Sequence, residues 1–140
     1  MKNTTTDLIE DIEQSVIGCL MVDYAGASSE MADFAISAEM FLSGTARKIF
    51  ETIQTLATDQ SPIDPITVRE KLRSGSVDDY TITKFLTNAI DNTPTAAHTA
   101  YYAQLLKQSH ERRRLRSILQ EADRRLEEQP ADMVQDELMR

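Results

Sequence analysis

The chain has 140 residues, of which 41% are hydrophobic and 27% are charged. Its 23 acidic side chains outnumber 15 basic ones and give a formal net charge of -8. This length and composition exclude a wholly disordered chain, a collagen-like repeat and a disulfide scaffold, and they fit a single globular domain. The negative charge argues against nonspecific binding of a polyanion by the chain as a whole, and it favours protein partners.

The sequence contains few of the features that bind metals or nucleotides or that span membranes. Cys19 is the single cysteine, and His98 and His110 are the two histidines, so neither an internal disulfide nor a structural zinc site is expected. Lysine follows none of the four glycines, so there is no P-loop, and we expect no catalysis and no bound cofactor. No segment approaches the roughly 20 apolar residues of a membrane helix, and the first residues lack signal-peptide order. The sequence predicts a cytoplasmic protein that does not contact a membrane.

Apolar residues recur at helical spacing along most of the chain, which predicts an all-α fold. Asp7 and Glu10 have the spacing of a capping box, and the stripe behind them predicts a first helix that ends near Asp23. Residues 25–29, rich in glycine and serine, are expected to lead to a weaker helix that carries Met31.

Three further helices follow in the first 94 residues. The stripe that begins with Ile49 predicts a helix from Thr45. Asp64 followed by Pro65 predicts the start of another helix, which should stop at Gly75. Asp78 or Asp79 should cap the next helix, whose apolar face is Ile82, Phe85, Leu86, Ala89 and Ile90 and which ends at Asn92-Thr93-Pro94.

The last element is long. With Thr95 as N-cap and no proline before Pro130, about 35 residues can form a helix of roughly 50 Å. A bundle built from residues 1–94 is too small to cover such a helix, so we expect it to protrude. After Pro130 the sequence predicts the first turns of a returning helix. The predicted architecture is therefore a small helical bundle, residues 1–94, followed by a long protruding helix and the start of a helical hairpin, residues 95–140.

The second half of the long helix carries an apolar stripe of its own, which we call the seam: Leu115, Ile118, Leu119, Ala122 and Leu126. Four of these residues follow the alternating four and three spacing of a coiled-coil face. A returning helix of ten residues spans only about 15 Å, so apolar surface is left for another chain. The seam therefore predicts self-association.

Three sequence blocks resemble the N-terminal domain of the replicative DNA helicase (DnaB) family. They are IEQSVIGCLMVD at Ile12–Asp23, SPIDPITVREKL at Ser61–Leu72 and NTPTAA at Asn92–Ala97, and they occur in the family's order. Leu42 stands where the family usually has an aromatic residue, Ala46 where it has a histidine, and residues 79–81 where it has a Gly-Gly turn. These departures are typical of a phage or mobile-element version.

The resemblance implies a non-catalytic collar domain. In the family, a helical bundle precedes a hairpin, hairpins pair between subunits, and three pairs form a collar above a hexameric motor ring. The collar, in the family, also docks the C-terminal domain of primase. ATP and Mg²⁺ would belong only to the motor domain, and a helicase loader is a further candidate partner. Phe85 aligns with an aromatic position of the primase-facing helix, and Leu115 and Ile118 lie on the hairpin helix that helps present that surface. Two readings stay open: a fragment of a longer helicase, or a free-standing phage regulator that binds host helicase or primase.

Four arginines, Arg112, Arg113, Arg114 and Arg116, form a candidate patch for nucleic-acid phosphates. Successive helical residues turn by about 100°, so this run wraps the helix and does not form one flat footprint. The alternative is a solvated stretch whose arginines pair with Glu111, Glu121 and Asp123. We therefore do not expect direct DNA binding.

The remaining candidates have structural explanations. Paired acids, Glu10, Asp11 and Glu13 or Asp78 and Asp79, offer carboxylates for hydrolysis, but surface positions and helix caps explain them better. Cys19 lies near the apolar face of the first helix and is predicted to be a core residue. His98 is placed in the first turn of the long helix, where a packed or solvated imidazole is preferred over a pH switch.

Overall fold

The structure is a computed structural model that describes residues 4–128, with side-chain exposure from Asp7 onward. Six α-helices follow one another within this range: α1 (Thr4–Val22), α2 (Tyr24–Asp33), α3 (Gly44–Thr58), α4 (Pro65–Leu72), α5 (Asp79–Asp91) and α6 (Thr99–Glu128). A short 3-10 turn, Ala38–Met40, lies between α2 and α3, and residues 4–128 contain no strand. The predicted all-α class is confirmed. The predicted returning helix after Pro130 lies outside the described residues.

The chain divides into two compact units, residues 1–108 and residues 109–140. The first unit holds helices α1 to α5 and the beginning of α6, whose Ala103 and Leu106 are fully buried. The described part of the second unit is the remainder of α6. The predicted domains, residues 1–94 and 95–140, stay a prediction.

The core of the first unit is built from one face of each helix. Val16 and Ile17 of α1, Ile49 of α3, Val68 of α4 and Leu86 of α5 are each completely or almost completely buried. The two helices α1 and α5 approach closely at Gly18, where an added Cβ would lie 2.6 Å from the carbonyl oxygen of Ala89. The apolar stripes that the sequence predicts on these helices are therefore the helix faces that pack together in the core.

Helix starts follow the predicted chemistry at α4 and α5. Oδ1 of Asp64 accepts a hydrogen bond from the backbone N–H of Thr67, whose hydroxyl in turn accepts one from the backbone N–H of Asp64. Pro65 occupies the first helical position, where its missing N–H costs nothing. Asp78, of the two candidates, caps α5 by accepting from the backbone N–H of Thr81 at 2.9 Å. These predicted caps are confirmed.

Three predicted boundaries are wrong. Residues 25–29 lie inside α2, because Asp23 caps that helix by accepting from the backbone N–H of Gly26. Helix α4 ends at Leu72, before Gly75. Helix α6 begins at Thr99, because the hydroxyl of Thr95 accepts from the N–H of Ala97 in a local turn and does not cap the helix.

None of the described helices is both long enough and apolar enough to cross a membrane.

Candidate interaction surfaces

The seam is open along its described length. The exposed fractions are 62% for Leu115, 58% for Ile118, 69% for Leu119 and 55% for Leu126, and Ala122 is also exposed. Since 3.6 residues make one helical turn, these side chains lie within a stripe of about 100° along α6. A continuous stripe of exposed leucine and isoleucine is the kind of surface that marks a protein interface.

Arginines Arg112, Arg114 and Arg116 are exposed and make no ion pair with any residue in the range 4–128. Arg113 donates from Nη1 to the hydroxyl of Ser109 at 2.8 Å. Because the three exposed guanidinium groups leave the helix in different directions, they do not form one plane of positive charge.

The ion pairs of the second unit gather nearer the end of α6. Arg124 contacts Glu121 at 2.6 Å and Glu128 at 2.5 Å, and Arg125 lies 3.6 Å from Glu121. The hydrogen bond from Arg124 holds the pKa of Glu121 below its ordinary value. Glu121 therefore pairs with Arg124 and Arg125, and these pairs stabilise the helix locally at three- and four-residue spacing.

A second surface is a groove in the first unit, between α1, the start of α3 and α5. It has a volume of about 470 Å³ and is lined by both polar and aromatic side chains. The lining includes Gln14 of α1, Thr45 of α3, and Tyr80, Lys84 and Phe85 of α5. Phe85 is half-buried and borders the core, whereas Tyr80 is 73% exposed. The groove presents two aromatic rings and a lysine to an approaching partner.

A buried carboxylate also lines the groove. Glu13 of α1 is only 1% exposed, and it accepts hydrogen bonds from the backbone N–H groups of Leu42 at 3.0 Å and Ser43 at 2.9 Å. Ser43 caps α3, and Arg47 of that helix donates to the carbonyl oxygen of Phe41 at 2.9 Å. The segment that enters α3 is thus fixed to α1 by a side chain. The prediction that Glu13 is a surface acid is wrong.

The other acidic candidates are exposed or serve as caps. Glu10 and Asp11 are exposed on α1, Asp78 caps α5, and Asp79 lies 3.3 Å from a guanidinium nitrogen of Arg69. Among the residues that the structure describes, no three His, Cys, Asp or Glu side chains are grouped to hold a metal ion.

The cysteine and the candidate histidine lie in contrasting environments. Cys19 is completely buried, which confirms its predicted core position, and burial raises the pKa of its thiol. His98 is exposed and lies immediately before α6, not in its first turn, with its ring 6.4 Å from that of Tyr102.

Residues 4–128 define a class of protein: an all-helical bundle whose sixth helix is long, with two exposed candidate interaction surfaces. Comparison with known proteins identifies the family to which the chain belongs. Residues 7–108 match the family described as DnaB-like helicase N terminal domain. Because the match covers most of the chain, the protein belongs to the DnaB-like helicase N-terminal domain family.

Two relatives illustrate the relationship. The chain is 30% identical over 106 residues to the replicative DNA helicase DnaB of Geobacillus stearothermophilus, an alignment that covers 75% of this chain and 23% of that protein. It also resembles the crystal structure of the N-terminal domain of DnaB helicase from Mycobacterium tuberculosis, with a TM-score of 0.78 and 23% identity over 91% of this chain and 89% of the other. The chain thus spans less than a quarter of the curated relative and nearly all of the isolated domain, whose fold it shares.

Sequence reasoning named the seam and, of the groove's lining, Phe85, Glu10 and Glu13, but it missed that these residues share a groove with Tyr80 and Lys84, and it missed the role of Glu13. Glu13 lies one residue after Ile12 and four before Ile17, so the apolar stripe itself places its side chain on the buried face of α1. A carboxylate at that position signals a buried hydrogen-bonding role, because a charge is rarely buried without partners.

Proposed function

We propose that the chain is a non-catalytic collar domain of a replicative DNA helicase, which joins subunits through the seam and docks primase at the groove. The exposed seam is the observation that carries self-association. Four large apolar side chains, each more than half exposed, lie on one stripe of α6, and three of them, Leu115, Leu119 and Leu126, follow coiled-coil spacing together with Ala122. Covering them with a like stripe from a second subunit removes that apolar surface from water.

The groove supports the docking part of the proposal. Aromatic side chains that line a concave surface are common anchors of protein interfaces, and Tyr80 and Phe85 border the same groove. Lys84 adds a positive group for an acidic residue of primase. Leu115 and Ile118 are also candidate primase contacts, but they belong to the seam, so subunit pairing and primase compete for them.

The proposal assigns no reaction to these residues. Unwinding would belong to a motor domain, which would also bind ATP and Mg²⁺, and a helicase loader is a further candidate partner. Subunits could assemble as a dimer or as a trimer of dimers within a hexamer. Function on chromosomal or phage DNA implies the cytoplasm of a bacterial cell.

The self-association half is tested by replacing Leu119 and Leu126 together with aspartate. Charges placed in an apolar contact would be desolvated without partners, so the variant should lose the wild-type dimer mass in light scattering while its helical circular dichroism is retained. A matched control is Ser117→Asp with Arg124→Gln, which changes polar residues of α6 outside the seam. An unchanged mass in the Leu119→Asp, Leu126→Asp variant contradicts the proposal.

The docking half is tested by sedimentation of the chain with and without a primase C-terminal domain. Complex formation by the wild type and its loss in a Tyr80→Ala, Phe85→Ala variant support docking at the groove. Ile66→Ala is the control, because Ile66 is 76% exposed on α4 and does not line the groove. If the wild type forms no complex, or if both variants bind equally well, the groove is not the docking site.

A further inference from the structure

The groove is bordered on one side by a segment that has little regular structure of its own. Between α2 and α3, residues 34–43 contain one 3-10 turn and no α-helix, and the α3 side of the groove consists of Ser43 and Thr45. The opposite side is α5, with Tyr80 and Phe85. The width of the groove therefore depends on where the residues that enter α3 lie relative to α1 and α5.

One side chain links this segment to α1 by hydrogen bonds. Oε2 of Glu13 accepts from the N–H of Leu42 at 3.0 Å and Oε1 from the N–H of Ser43 at 2.9 Å, and neither N–H bonds to another acceptor within residues 4–128. Phe41, the preceding residue, is completely buried, and its ring lies 5.0 Å from that of Phe50, which anchors the segment to α3 itself. The carboxylate is thus the hydrogen-bonded link that sets the position of Ser43 against α1.

This carboxylate does not meet a partner directly. Glu13 is only 1% exposed, and backbone N–H groups use both of its oxygens. Glu10, one turn earlier on α1, also lines the groove but is exposed. The two acids therefore have separate effects: Glu10 gives the groove a surface charge, whereas Glu13 acts through Ser43 and Thr45.

We infer that Glu13 is a positioning residue for docking: it holds the start of α3 at the distance from α5 at which one partner segment contacts both sides of the groove. This inference rests on the proposed docking of primase at the groove. A preformed site binds more tightly because the partner does not have to order it. Where only a fraction of the molecules holds the competent arrangement, the apparent affinity falls by that fraction. Loss of the Glu13 bonds should therefore weaken docking in a protein that is still folded.

Glu13→Gln tests this role. An amide has one acceptor oxygen, and its NH₂ group turns donors toward the second N–H, so one of the two bonds is lost while size and shape are kept. In titration calorimetry of the full chain, the affinity for a primase C-terminal domain should fall by roughly tenfold, as it would if one molecule in ten kept the competent arrangement. Glu10→Gln makes the same chemical change on an exposed residue of the groove and should alter the affinity by less than about twofold.

A second control separates position from stability. Ile53→Val removes one buried carbon from α3, about two turns after Thr45, and should lower the overall stability by an amount similar to that of Glu13→Gln. Ile53 does not line the groove, so the affinity for primase should stay within about twofold of the wild-type value. In hydrogen exchange, the amides of Leu42 and Ser43 should exchange faster in Glu13→Gln than in Ile53→Val, because only Glu13→Gln removes an acceptor from them.

The outcomes separate the positioning role from the proposed docking. Wild-type binding that Glu13→Gln alone weakens, together with faster exchange at Leu42 and Ser43, supports the positioning role. That role is overturned, while docking at the groove stands, if Glu13→Gln binds as well as the wild type, if either control weakens binding equally, or if exchange at these amides is unchanged. A wild type that does not bind primase overturns the proposed docking, and the positioning role with it.

Discussion

Glu13 and Ser43 are 30 residues apart in sequence and are joined by a hydrogen bond of 2.9 Å from the backbone N–H of Ser43 to Oε1 of Glu13. The other oxygen of the carboxylate accepts from the N–H of Leu42. One buried side chain of α1 thus fixes the residue that caps α3. This contact forms one wall of the groove and sets where α3 begins relative to α1.

Removing this carboxylate should destabilise the first unit. Glu13→Ala leaves two partly buried backbone N–H groups, those of Leu42 and Ser43, without their acceptor, and we expect a loss of about 2–3 kcal/mol in the free energy of unfolding. Glu13→Gln keeps one acceptor oxygen and should cost less, about 1–2 kcal/mol. Urea unfolding followed by circular dichroism measures both. Glu10→Gln, an exposed change on the same helix, should alter stability by less than about 0.5 kcal/mol. Equal stabilities of the Glu13 and Glu10 variants would show that the contact contributes nothing.

Gly18 is required by the close approach of α1 and α5. A Cβ there would lie 2.3 Å from the hydroxyl oxygen of Thr93 and 2.6 Å from the carbonyl oxygen of Ala89, and backbone cannot yield as a flexible side chain does. Gly18→Ala should therefore destabilise the protein by about 2–3 kcal/mol, as overpacking does. Gly44→Ala is the control, because no atom lies within 4 Å of the Cβ that it would add. Thermal unfolding should show a lowered melting temperature for Gly18→Ala alone, and a melting temperature equal to that of the wild type would contradict the close packing.

The end of α3 offers a stabilising substitution. Gln60 has a φ of 56°, a left-handed conformation that glycine adopts without strain, and its N–H donates to the carbonyl oxygen of Ala57. Gln60→Gly should raise the free energy of unfolding by about 0.5–1 kcal/mol. Gln54→Gly, in the exposed interior of the same helix, should lower it by about 1 kcal/mol. Chemical denaturation distinguishes the two signs, and a destabilised Gln60→Gly variant would show that the side chain of Gln60 outweighs its backbone strain.

The cap of α5 predicts a dependence on pH. Hydrogen bonds from the N–H and the hydroxyl of Thr81 lower the pKa of Asp78, so its folded pKa lies below its unfolded value of about 3.9. The charged cap therefore contributes stability above about pH 4 and loses it as the pH falls through the folded pKa. Asp78→Asn does not titrate, so its deficit relative to the wild type should be constant near neutrality and shrink below pH 4. Melting temperatures between pH 2 and pH 7 measure this difference, and a deficit that stays the same at every pH would contradict it.

The features predicted correctly are local. A cap such as Asp64 followed by Pro65 depends on residues within one helical turn, so the sequence alone locates the start of α4. The start of α2 was misplaced because glycine and serine suggest a loop, whereas Asp23 offers a cap strong enough to begin a helix before them. At α6, Thr95 has the chemistry of a cap but uses it in a turn.

The groove could not be predicted from the sequence because it depends on tertiary contacts. Its lining comes from three helices. The periodicity of residues within one helix does not indicate which helices meet, so the sequence does not show that Gln14, Thr45 and Tyr80 share a surface. The seam differs, since all of its residues lie on one helix and their spacing is visible in the sequence. The phage or mobile-element origin stays a prediction, as does the choice between a fragment and a free-standing regulator. An ATPase domain encoded downstream in the same reading frame would favour the fragment.

The arginine run stays the weakest candidate site. Three of its four arginines are exposed, yet they leave α6 in different directions, and the chain as a whole is acidic. We would accept the arginine run as a nucleic-acid site if the chain bound single-stranded DNA at 50 mM salt and the binding weakened steeply as salt was added.

The central claim is that the exposed stripe of leucines on α6 is an interface between chains. Sedimentation equilibrium of the wild-type protein over a wide concentration range tests it most directly. We predict a mass that rises with concentration from that of one chain, 15.8 kDa, toward at least twice that value. A mass that stays at one chain up to the highest concentration would contradict it.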